Sequence, residues 1–117
     1  SGHIEAEQFD HEAHVYVAWL FVTKFDLATA VARFDTALRR LTAKLGVPGK
    51  YHATITWFFM LLIAERSRDN EVWSDFKARN PDLISHSKTT LDRYYSSARL
   101  FSDTARNQFV LPDRLPA

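Results

Sequence analysis

His11, His14 and His52 are the residues of this chain whose type and spacing could do chemistry together. His11 and His14 stand three apart in FDHEAHVYVAW. On a helix this puts both imidazoles on one face, about 4.5 Å apart along the axis. His52 opens a third segment, KYHATITWFFMLLIAER. Neutral imidazoles contributed by two helices suit an open site for a divalent transition metal, with Zn, Fe, Ni, Mn or Cu as candidates. A histidine in the first turn of a helix also faces the positive end of the dipole. That disfavours imidazolium and leaves the ring able to ligate a metal or act as a base. His11, His14 and His52 are therefore the expected metal ligands. His52, Tyr51, Thr56 and Lys50 are the expected catalytic group, orienting a small-molecule substrate or bound water. Lys50 and the unbonded helix N–H groups would hold an anionic part of that substrate. Glu7, four residues before His11, could add a carboxylate. Glu65 cannot, because thirteen residues of helix place it ~20 Å from His52.

These histidines also have a purely structural reading, as capping or bridging residues at buried helix starts. His11-Glu12-Ala13-His14 is one residue short of the HExxH zinc-protease motif, so protease chemistry gains no support. Two further functions compete with the metal site. One is a non-enzymatic binding or accessory protein, dimeric through exposed aromatics of the first or third helix. The other is metal-free acid–base catalysis by His52. Tyr94 and Tyr95 are expected to pack the last helices, with either hydroxyl able to reach a pocket. His86 and the Arg39-Arg40 pair read as solvated, and Trp19, Trp57 and Trp73 as core.

The elements that must position these groups are helices. Only three Gly and four Pro occur in 117 residues, which leaves few turns and favours long helices over many strands. The first helix is expected over Phe9–Val22, apolar nearly all round after His14 and so substantially buried. Asp26 is an N-cap for the second, Leu27–Leu45, where Leu27, Ala30, Val31, Phe34, Leu38, Leu41 and Leu45 recur at three- and four-residue spacing. Gly46, Pro48 and Gly49 stop it. The third, about Lys50 to Ser67, carries the unbroken apolar run Trp57–Ala64 and must be surrounded by other elements. Shorter helices are expected over 71–79, 87–95 and 103–109, with residues 110–117 as an extended tail across the body. Residues 1–8 are expected to be frayed or tag-derived, so His3 carries no weight. The result is one all-α domain, a bundle of about five to six helices around a buried central helix at about 50–67. If the first three helices alternate up, down, up, helices one and three are parallel and their histidines meet at one end.

Composition narrows the partners. The net charge of +1, with no basic block, argues against a nucleic-acid footprint. The Gly46–Gly49 turn does not make a helix-turn-helix, since WFFMLLIA cannot present polar side chains to a groove. That run is also too short for a membrane span, which needs ~20 apolar residues. The chain has no cysteine, which removes thiolate chemistry and disulfides and fits a cytoplasmic protein. Helices one and three are more apolar than a monomer of this size comfortably buries, so a homodimer is expected.

The segments FDHEAHVYVAW, GKYHATIT and DRYYS, with the closing FVLPDRLP, resemble a family of small, largely uncharacterised bacterial all-α proteins. Its pattern runs F-x-H-x-x-H-x-x-x-A-W, then K-Y-H-E-T-I-T, then R-Y-Y-S. The resemblance implies that His11, His14, Lys50, Tyr51, His52, Thr54, Thr56, Tyr94 and Tyr95 are the family positions present here. Ala53 stands where the pattern has Glu, so any role of that carboxylate is absent or moved.

Overall fold

The computed structural model describes residues 2–114, with side chains described from His11 to Arg114. The architecture is entirely helical among these residues. Three long helices come first: α1 (Gly2–Lys24), α2 (Leu27–Lys44) and α3 (Ala53–Arg66). Five short ones follow: α4 (Trp73–Arg79), α5 (Pro81–Ile84), α6 (Ser87–Tyr94), α7 (Ser97–Leu100) and α8 (Asp103–Asn107). The helix α1 is described from Gly2, ahead of the expected start at Phe9. The short helix α7 was not expected; Ser96 caps it by accepting from the Arg99 N–H.

Each boundary has a local cause. Asp26 caps α2 by accepting from the Thr29 N–H at 3.2 Å. Gly46 sits at φ +75°, a conformation that costs glycine little, and it breaks the chain away from α2. Proline then helps to set a single 3₁₀ turn, Pro48–Lys50, before α3 begins. Lys50, Tyr51 and His52 therefore lie outside the helix they were expected to open, and His52 is its N-cap.

Packing follows the apolar run of α3. Phe58, Phe59, Met60, Leu62 and Ile63 are buried in one core with Val15, Ala18 and Trp19 of α1 and Ala30, Val31 and Phe34 of α2. Phe76, Leu83, Leu91, Tyr95 and Leu100 close the core from the second half of the chain. Burying side chains of this size contributes roughly 1.5–3 kcal/mol each before the entropy of ordering them is counted. The apolar stripe of α2 proves narrower than its spacing suggests. Leu27 and Leu41 are 46% exposed and Leu45 65%, because α2 is an edge of the bundle and only its middle turns meet α1 and α3. Nor is α1 covered all round: Tyr16, Val17 and Leu20 remain 39–40% exposed.

The chain end is tied down across the bundle as far as Arg114. The Tyr95 hydroxyl donates to the Val110 carbonyl at 2.7 Å, and burial pushes this phenol up to about 12. Arg99 Nε donates to the Leu111 carbonyl, while Asp113 accepts from both the N–H and the hydroxyl of Ser96. Expectations for residues 115–117 lie outside the described residues. No helix among the described residues is long and apolar enough to cross a membrane.

Candidate functional site

The polar head of α3 is a knot that holds the fold. Nδ1 of His52 accepts the Ile55 N–H at 3.2 Å, the N-cap bond that α3 needs. An Nδ1 that accepts must carry no proton, so the neutral ring bears its hydrogen on Nε2. That Nε2–H lies 2.7 Å from the Leu100 carbonyl and donates to it. Burial holds the imidazole below its ordinary value of 6.5; the Leu100 carbonyl opposes this, and the Arg106 charge reinforces it. Two residues on, the fully buried Thr54 donates its hydroxyl to the Gln108 carbonyl at 3.0 Å and accepts the Val110 N–H at 3.1 Å. Tyr51 donates its hydroxyl to Asp35 Oδ1, which also accepts from Trp57 Nε1 at 3.2 Å.

These bonds answer where the expected site residues go. Helices α1 and α3 do run in the same sense: His11 meets Phe59, and further along Trp19 and Val22 share a cavity wall with Ala64 and Ser67. Their register is staggered, however. The His11 ring lies edge-on to Phe59, with centroids 5.6 Å apart. Phe59 is seven residues beyond His52, about 10 Å along the axis. His52 therefore does not join His11 and His14, and both of its ring nitrogens are already engaged within the fold. Among the described residues no three His, Asp or Glu side chains come together as a metal-ligand group. Glu7 has no described side chain. Lys50 is exposed at the end of the 3₁₀ turn.

What the structure does bring together is His11, His14 and Thr56. They line one cavity of about 90 Å³ between α1, α2 and α3, floored by Val15, Phe34, Leu38, Ile55, Phe59 and Met60 among others. His11 is half-buried and its Nε2 is 2.7 Å from the Leu83 carbonyl. With that nitrogen donating, Nδ1 is the atom of this ring left to accept. His14 is exposed on the next turn. The cavity thus combines an apolar interior with two imidazoles and a hydroxyl, and its volume of about 90 Å³ admits a group of a few heavy atoms rather than a whole drug-sized molecule.

Tyr94 and Tyr95 take no part in this cavity. Tyr94 packs its ring 4.8 Å from that of Phe58, and the Tyr95 hydroxyl is committed to Val110. The residue that the sequence reading overlooked is Asp35. It stands just after the buried Phe34 and four before Arg39, and it gathers Tyr51, Trp57 and Arg39 onto one carboxylate. Its i,i+4 spacing to Arg39 was a visible signal, but Tyr51 and Trp57 reach it only across the α2–α3 turn. Arg39 is likewise more than a solvated helix end: its guanidinium lies over the Tyr51 ring at 4.2 Å. No family model, no curated protein and no solved structure matches this chain.

Proposed function

We propose that this is a small-molecule-binding all-α protein whose ligand occupies the cavity between α1, α2 and α3, with His11, His14 and Thr56 as polar contacts. The observation that carries the reading is the convergence of these three side chains, from two helices, on a single apolar-floored cavity. A divalent transition metal belongs to this reading in a narrower form. Nδ1 of His11 and the His14 ring would supply two ligands, and the bound molecule or solvent the others.

The test is a fragment titration followed on the methyl resonances of Ile55, Met60 and Ile63 and the ring resonances of His11 and His14, with untagged protein. Saturable shifts at these positions that weaken in Ala18→Val, which narrows the cavity, support the reading. Ligands that shift only residues elsewhere would overturn it. Titrating Zn²⁺ and Ni²⁺ in the same way decides the metal form: stoichiometric binding lost in His14→Ala supports it, and the absence of saturation removes it.

A second reading, self-association, is favoured by the outward face of α1. Ala13, Tyr16, Val17 and Leu20 form a continuous stripe at helical spacing, of which the last three are 39–40% exposed. A second copy would cover this stripe with its own equivalent. Light scattering across a dilution series tests it, with a monomer mass at every concentration as the contrary outcome.

A further inference from the structure

We propose that a second site, in the cleft between the end of α2, the Pro48–Lys50 turn and α8, binds the phosphate or carboxylate group of a small anionic molecule between Arg39 and Arg106. It shares no lining residue with the histidine cavity and does not depend on it.

The cleft has a volume of about 270 Å³, and its walls include Arg39, Thr42, Gly49, Tyr51, Arg106 and Asn107. Two guanidinium groups line it and, among the described residues, no carboxylate does. Asp35 pairs with Arg39 from outside the lining, so the positive charge left uncompensated in the cleft, among the described residues, is that of Arg106, and an anion in the cleft would meet it. Guanidinium is also the side chain best shaped to grip an oxyanion, through paired N–H donors in a fixed plane.

Arg39 is held for this task. Its Nε donates to Asp35 Oδ2 at 3.0 Å, and its plane rests on the Tyr51 ring. The same Asp35 accepts from Tyr51 and Trp57 through its other oxygen, so the carboxylate that positions Arg39 is fully engaged. The arginine spends Nε on Asp35 and makes one long contact, 3.5 Å, from Nη2 to the Asn107 carbonyl. A guanidinium has five N–H donors, so Arg39 keeps donors to spare. Arg106 is less encumbered. Its Nη1 donates to the Gly49 carbonyl at 3.3 Å, and it forms no ion pair among the described residues. Lys50, next in sequence to Gly49, is exposed and does not line the cleft.

The experiment is an NMR titration of the full chain with inorganic phosphate and, separately, with succinate, each against sodium chloride at equal ionic strength. Saturable shifts at the Gly49 amide and the Arg39 and Arg106 Nε–H signals are expected. Affinity should fall at least tenfold in Arg106→Gln, an exposed change that leaves the core intact, and stay unchanged in Lys88→Gln, an exposed cation that does not line the cleft. Saturation by phosphate alone identifies a phosphate ligand, by succinate alone a carboxylate ligand, and by both a general oxyanion site. Shifts that chloride reproduces, or an affinity unaltered in Arg106→Gln, would overturn the proposal. Circular dichroism of the variant checks that any loss is not unfolding.

Discussion

The Nε2–H of His52 donates to the carbonyl of Leu100 at 2.7 Å, across 48 residues of chain. The same ring caps α3 through Nδ1. One neutral imidazole thereby ties the start of the central helix to the end of α7. Replacing it with alanine removes a cap, worth about 1 kcal/mol, and strands a buried carbonyl at about 1–3 kcal/mol. His52→Ala should therefore lose roughly 2–4 kcal/mol in urea unfolding. His52→Asn, which can still cap, should recover about 1 kcal/mol of that. Equal stability of the wild type and His52→Ala would contradict the bonding described.

The same residue sets a pH dependence. Its folded-state pKa lies below the ordinary 6.5, chiefly through burial, so between the two values the unfolded chain binds more protons. Stability should be fully present above 6.5 and decline as pH falls below it, until the folded-state ring also titrates. Thermal unfolding between neutral and mildly acidic pH measures this. In His52→Asn the decline over that range should be shallower, while an unchanged slope would assign the dependence to another group.

Thr54 is the point at which the tail docks. Thr54→Val keeps the volume but removes both hydroxyl bonds to residues 108 and 110. We expect a loss of about 1–3 kcal/mol. Hydrogen exchange at the Val110 and Arg114 amides should accelerate before that of α3. Uniform acceleration throughout the chain would show that the tail does not open separately.

Tyr95 should titrate late. Its phenol is pushed up to about 12 by burial, so the folded state retains that proton above the ordinary value of 10. The sign is opposite to that of His52: stability should fall as pH rises from 10 toward 12. Ultraviolet difference titration should show a late phenolate that is absent in Tyr95→Phe, and an unchanged titration curve in that variant would refute it.

Asp35→Asn tests the hub on α2. It should weaken the Arg39 pair and the Tyr51 and Trp57 bonds together, shifting Trp57 fluorescence and costing about 1–3 kcal/mol. Removing the carboxylate that pairs with Arg39 also leaves that guanidinium uncompensated, so anion affinity at the Arg39–Arg106 cleft should change with it. Unchanged anion affinity would separate the hub from that cleft.

Much of the fold was legible because its signals are local. The stop at Gly46–Gly49, the cap at Asp26 and the apolar run of α3 follow from backbone preference and hydrophobic patterning over a few residues. The candidate site was legible only in part. The i,i+3 spacing placed His11 and His14 on one helix face, and they do line one cavity with Thr56. The expected meeting with His52 depended on the axial offset between α1 and α3, which no single-helix pattern encodes.

By itself the sequence determined the helical class, the central position of α3 and the change from polar head to apolar body within KYHATITWFFMLLIAER. Tertiary structure alone decided what that polar head does. Packing set α1 against α3 in a register that puts His11 beside Phe59, leaving His52 to face Leu100 and Thr54 to face the tail. Hydrogen-bond partners 48 and 54 residues away cannot be read from spacing, because they arise from how buried surfaces fit and from the need to pair each buried polar group.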